Sequence, residues 1–127
     1  MRLLQTLLFS LITSISFAQQ APKHNMAPAE AATLLKTQPG VMVLDVRTPA
    51  EYQTGHLSNA LNVDFRSPDF AQKLARLDKS KTYLVHCAVG VRSTRTMPKL
   101  DSLGIKKVVH LDGGLDAWQK ANLPIVK

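Results

Sequence analysis

The chain has 127 residues, a formal net charge of +7 and a single cysteine. Its length confines it to one small domain, the lone cysteine excludes an intramolecular disulfide, and His24, His56, His86 and His110 are too widely spaced to form a zinc-type cluster without a second thiol. The basic balance favours anionic partners and substrates, yet the longest basic run is Lys106-Lys107 and the aromatic residues are scattered, so neither nucleic acid, a metal nor a cofactor is expected.

The first segment has one charge, Arg2, then an apolar stretch from Leu3 to about Ile15, and ends in Ser16-Phe17-Ala18. That is the layout of a secretory signal over residues 1–18, cleaved after Ala18, with the mature protein periplasmic or secreted. An uncleaved anchor is the competing arrangement; against it, Gln5, Ser10, Thr13 and Ser14 interrupt a run already short of the ~20 residues a span needs. Contact with a membrane is therefore expected only through the signal before cleavage. Loss of Arg2 takes the net charge from +7 to +6, and an unpaired thiol in an exported chain marks a reactive group.

Residues 19–26 read as a polar, flexible leader, and residues 27–127 as the folded domain. Pro28 to Lys36 reads as a helix opened by proline and ended near Pro39-Gly40, although Ala27 is a poor cap. Val41-Met-Val-Leu-Asp45 is a nearly unbroken apolar run, as expected of a strand covered on both faces. Thr48-Pro-Ala-Glu51 combines a cap, a first-turn proline and a glutamate three residues on, a capping box on a short helix that Gly55 closes. Ala60–Val63 is a brief strand, and Ser67-Pro68 opens a helix with Phe70, Leu74 and Leu77 on one face. Thr82–His86 is a central strand. The helix after it, from about Val91 to Leu103, turns Met97, Leu100 and Leu103 inward and contains Pro98, which costs a hydrogen bond. Val108–Leu111 is the last strand, and Gly113-Gly114 turns into a final helix carrying Trp118. Alternating strands and helices predict an α/β fold, a small parallel sheet with helices on both faces.

In such sheets sites form beyond the carboxyl ends of the strands. Cys87 lies at one, in His86-Cys-Ala-Val-Gly-Val-Arg-Ser93. A helix start just after it offers unpaired N–H groups and the positive end of a dipole, Gly90 lets the backbone curl into an anion nest, and Arg92 adds a positive charge. All three favour a thiolate. The loop supplies a nucleophile and an anion dock, but no evident proton shuttle.

Four stretches now combine: Val43-Leu-Asp-Val-Arg47, Glu51-Tyr-Gln-Thr-Gly-His-Leu57, Cys87-Ala-Val-Gly-Val-Arg92 and Gly113-Gly-Leu-Asp-Ala-Trp118. In this order they resemble a single-domain rhodanese, a thiosulfate sulfurtransferase module. The resemblance implies that Cys87 takes sulfane sulfur from a small anionic donor such as thiosulfate, holds it as a persulfide, and passes it to a thiophilic acceptor such as cyanide or a protein thiol. It implies a substrate cradle of Ala88, Val89, Gly90, Val91 and Arg92, with Arg92 at a position that varies in the family. Asp45 and Arg47 are candidate supporting residues, set against a purely structural ion pair. Departures are Ala27 in place of the usual cap and Ser58-Asn59 where Pro-Gly is common. Glu51 belongs to its capping box, Trp118 to the core and His56 to the turn after Gly55, while strand alternation turns His86 away from the loop. Two alternatives share the loop logic: a cysteine-based phosphatase or arsenate reductase, and a sulfur carrier with slow turnover of its own. The implied sulfurtransferase loop has one residue fewer than that of the related phosphatases, and four residues separate Cys87 from Arg92.

Overall fold

A computed structural model describes residues 25–127; the expected signal at 1–18 and residues 19–24 of the leader lie outside the described residues. The elements in chain order are β1 (Asn25–Met26), α1 (Pro28–Thr37), β2 (Met42–Asp45), α2 (Pro49–Thr54), β3 (Leu61–Asn62), α3 (Phe70–Ala75), β4 (Tyr83–His86), α4 (Val91–Ser102), β5 (Val108–Leu111) and α5 (Gly114–Lys120). The strands form a five-stranded sheet in the order β1-β5-β4-β2-β3, parallel throughout.

Asn25 and Met26, read from sequence as the end of the leader, instead pair with His110 and Leu111 along the edge of β5. A strand of two residues is too short to show alternation, so polarity alone misassigns it. α3 begins at Phe70, with Asp69 rather than Ser67 at its N-cap, because Ser67 first closes a turn by accepting the Phe70 N–H at 3.1 Å. The capping box of α2 forms as expected: Thr48 Oγ1 accepts the Glu51 N–H at 3.3 Å and Glu51 Oε1 accepts the Thr48 N–H at 3.2 Å. A helix of six residues is too short to persist alone, so this reciprocal pair and Pro49 fix its position. Pro98 falls on the exposed side of α4, where water can serve the carbonyl that loses its partner.

Two apolar layers cover the sheet. On one face Leu44, Val46, Phe70, Leu74, Val85, Cys87 and Leu100 pack beneath α3 and α4. On the other Ala31, Val43, Leu57, Leu84, Leu111, Leu115 and Trp118 pack beneath α1 and α5. Alternating residues of one strand serve opposite layers, which is why β4 and β5 read as continuous apolar runs. Tyr52 and Leu57, on and just after α2, belong to the second layer, and Met97 of α4 to the first. The chains leaving neighbouring β2 and β4 therefore diverge to opposite faces, opening a crevice at their carboxyl ends.

Candidate active site

Cys87 follows β4 directly, and its side chain continues the layer of Val85 beneath α4. Only 1% of the residue is exposed, so the sulfur lies at the floor of the loop. Gly90, the N-cap of α4, has φ +107° and donates its N–H to Sγ at 3.1 Å. A side chain at this residue would be strained by that dihedral alone. The Ser93 hydroxyl lies 3.3 Å from the same sulfur. Burial pushes the thiol up, but the Ser93 hydroxyl and amide, with the amides of Gly90 and Val89, outweigh it and hold Cys87 below its ordinary value. A sulfur so surrounded carries negative charge more readily than a free thiol.

The amides face inward because the carbonyls are held outward. Cys87 O accepts the Leu115 N–H at 2.9 Å and Ala88 O accepts the Asp116 N–H at 3.0 Å, so the first turn of α5 is docked on the outer side of the loop. His86 Nδ1–H donates to Cys87 O as well, at 3.0 Å. Close approach is the reason for Gly114: at φ +62°, a Cβ there would stand 2.6 Å from both carbonyl oxygens.

Asp45 and Arg47 sit on the opposite face of the sheet from the Cys87 side chain, with His86. Asp45 Oδ2 takes an Arg47 NH2 at 2.7 Å, and Oδ1 takes the Arg47 backbone N–H and Nε at 3.0 Å. Arg47 also donates to Gly55 O at 2.7 Å and Glu51 O at 3.2 Å, fastening the end of β2 to the end of α2. The buried pair is thus a brace for the turns beside the loop. His86 is wholly buried, with Nε2 3.6 Å from Asp45 Oδ2 and no hydrogen-bond partner, and burial keeps its pKa low. Its hydrogen bond to the loop is the one to the Cys87 carbonyl. His56 braces the turn after Gly55 as expected: Nδ1–H donates to Tyr52 O at 2.9 Å, and the ring stacks on Tyr52 at 3.7 Å.

The Arg92 guanidinium, read from sequence as a positive charge on the cradle, is paired within the fold. Its NH1 and NH2 grip both oxygens of Glu51 at 2.7 and 2.9 Å. Glu51 is therefore more than a cap: the Arg92 hydrogen bond leads the causes that hold its carboxyl down at about 2. This fork joins α2 to α4, and Glu51 also lines a cleft of about 320 Å³ with Arg47, Thr54, Ala88, Val89 and Asp116. On the other flank lies a second cleft of about 410 Å³, lined by Asn25, Val89, Gly90, Arg95, His110 and Asp112. Val89 stands between them, 59% exposed, so the loop tip offers an uncharged, apolar rim.

Three residues that the sequence reading did not single out join the site. Ser93 Oγ is 2.7 Å from His110 Nε2, and His110 Nδ1 is 2.9 Å from Asn25 Oδ1. Ser93 and His110 carried legible signals. Ser93 shares the inner face of its helix with Met97 and Leu100, and a histidine inside an apolar run covered on both sides is an informative buried polar group. Asn25 carried none.

Comparison with known proteins matches the Rhodanese-like domain family model to residues 27–121. The chain is 34% identical over 100 residues to an uncharacterized protein of Synechocystis, covering 73% of this chain and 51% of that one, so it spans about half of that relative's length. It is 32% identical over 95 residues to the thiosulfate sulfurtransferase GlpE of Vibrio cholerae, covering 75% of this chain and 88% of that one. Among solved structures, a rhodanese-related protein from Thermoplasma volcanium superposes with a TM-score of 0.72 at 30% identity, covering 81% of this chain and 97% of that one. The matched residues take in the five helices found among the described residues and the whole cysteine loop, and the chain belongs to the rhodanese-like domain family.

Proposed function

We propose that this chain is a sulfurtransferase that carries sulfane sulfur on Cys87. The observation behind the reading is the set of polar groups turned on one sulfur at the start of α4, with the Gly90 N–H at 3.1 Å and the Ser93 hydroxyl at 3.3 Å. Such a set stabilises charge on Sγ, and a backbone nest of this kind can do the same for a single further sulfur bonded to it. The Cys87 thiolate attacks the outer sulfur of thiosulfate; a new S–S bond forms as the bond to the inner sulfur breaks, and sulfite leaves with that electron pair. A thiophilic acceptor, cyanide or a protein thiol, then attacks the outer persulfide sulfur and displaces Cys87 as thiolate. The name of the Vibrio relative supports thiosulfate as donor. Residues 88–92 form the cradle, and Arg92, paired with Glu51, docks the sulfonate-like end of the donor.

The Leu3–Ile15 run and Ser16-Phe17-Ala18 support work outside the cytoplasm. N-terminal sequencing of exported protein should then begin at Gln19, and a retained Met1 would overturn this part of the reading. The activity is tested by incubating the protein with thiosulfate and taking its intact mass. One added sulfur on Cys87, removed by cyanide, is the expected result. Efficient hydrolysis of aryl phosphates with no sulfur ever gained would assign the loop to phosphoryl chemistry instead.

A further inference from the structure

Behind the loop, a line of side chains runs from Cys87 to the exposed edge strand β1. Ser93 Oγ lies 3.3 Å from Sγ, His110 Nε2 lies 2.7 Å from that Oγ, and Asn25 Oδ1 lies 2.9 Å from His110 Nδ1. Ser93 is wholly buried and His110 is 4% exposed. Helix α4 and strands β5 and β1 each supply one member, so the line exists only in the assembled fold.

The direction of each hydrogen bond follows from what each atom can do. Asn25 Oδ1 only accepts, so Nδ1 of His110 carries a proton. A neutral imidazole then presents Nε2 as an acceptor, and Nε2 takes the one proton of the Ser93 hydroxyl. Ser93 is left with lone pairs toward Cys87 and accepts its S–H. A thiolate in that arrangement would face those lone pairs. Protonation of Nε2 reverses the two bonds nearest the sulfur: His110 donates to Ser93, and Ser93 donates to the thiolate.

We infer that Cys87 ionises by passing its proton through Ser93 to His110, so that the nucleophile forms as one half of a thiolate–imidazolium pair. The Cys87 S–H bond breaks as Ser93 Oγ takes that proton, while the Ser93 O–H bond breaks and an N–H bond forms at Nε2. The S–H bonding pair stays on sulfur, and no co-reactant is consumed. All three hydrogen bonds survive in both states. His110 never touches the reacting sulfur; it is a positioning residue that also stores the displaced proton. Burial, the largest cause, holds His110 below its ordinary value and His86 adds to this, while Asp112 opposes and Arg95 lines the same cleft. The Cys87 thiolate, reached through Ser93, is the partner that would offset burial in the ionised pair. Two groups linked in this way titrate as a pair.

The inference rests on Cys87 being the nucleophile, but its test needs no sulfur donor. The ultraviolet thiolate absorbance of the full chain, followed against pH, reports Cys87 because it is the only cysteine. His110→Gln and Ser93→Ala should each move the thiolate midpoint up by about one pH unit, which is about tenfold less thiolate below it. NMR of the His110 ring should show an imidazolium over the range in which the thiolate is present, and its loss in Cys87→Ser. A midpoint unmoved by His110→Gln, or a His110 titration identical in Cys87→Ser, would overturn the inference. Should the His110 variant fail to fold, the Cys87→Ser arm decides alone. If the midpoint shifts but thiosulfate never loads sulfur, the proton line stands and the sulfurtransferase reading falls.

Discussion

Gly114→Ala is the sharpest single test of how the loop is shaped. The new methyl would stand 2.6 Å from Cys87 O and from Ala88 O, on a residue whose φ is +62°. The left-handed dihedral costs a residue with a Cβ about 1–2 kcal/mol, and forcing a methyl into a packed site adds about 1–3 kcal/mol. Relief by moving α5 away stretches the bonds from Leu115 N–H to Cys87 O and from Asp116 N–H to Ala88 O, now 2.9 and 3.0 Å, each worth about 0.5–1.5 kcal/mol. A loss of about 3 kcal/mol or more is expected by urea denaturation, large against the ~5–15 kcal/mol of a typical domain. Released carbonyls also let the loop amides turn, so the Cys87 thiolate midpoint should rise. Gly40→Ala is the control: nothing lies within 4 Å of its added Cβ, and its stability should hold or improve by a few tenths of a kcal/mol up to about 1. A cost below about 1 kcal/mol for Gly114→Ala, or a large cost with an unmoved Cys87 midpoint, would refute the claim that α5 pins the loop.

Arg47→Ala should destabilise the fold by about 3–5 kcal/mol, because it leaves the wholly buried Asp45 carboxylate without its partner; thermal melting at neutral pH measures this. Glu51, held at about 2 in the fold against 4.5 unpaired, adds stability that is fully present above about 4.5 and is lost as pH falls through about 2. In Glu51→Gln the acid limb of a stability–pH curve should therefore be flatter, as read from urea midpoints. Arg92→Ala should mainly raise the KM for thiosulfate with little change in kcat, since the guanidinium is hydrogen-bonded to Glu51 while Gly90 and Ser93 contact the sulfur; steady-state kinetics showing the loss in kcat instead would give it a transition-state role.

The order of elements was legible from sequence because each signal was local. Proline and glycine punctuate the helices, the Thr48–Glu51 box lies within one turn, and strands buried on both faces read as apolar runs. Cys87 and Gly90 were legible for the same reason, being three residues apart in one loop. What escaped was long-range partnership. The Arg92–Glu51 fork spans 41 positions, and the contact of His110 with Asn25 spans 85. Neither side chain announces its partner, and each could equally have faced water. β1 escaped because two residues carry no period, and its identity is conferred by the exposed edge of β5.

The docking of α5 on the carbonyls of the cysteine loop has a consequence for the order in which the protein matures. All five strands are complete at Leu111, yet the donors that hold Cys87 O and Ala88 O belong to Leu115 and Asp116. A nascent chain halted between those points has the described strands and the cysteine, with the His86 ring on Cys87 O, but lacks the α5 amides that hold Cys87 O and Ala88 O outward. The Cys87 sulfur would then lie at the carboxyl end of the central strand β4, in a loop that α5 does not brace. The Leu115 and Asp116 amides that hold the loop's carbonyls are thus made only after the described strands, as is Val126, which bridges to His56. Progressive C-terminal truncation should therefore abolish the shifted thiol before it abolishes the sheet.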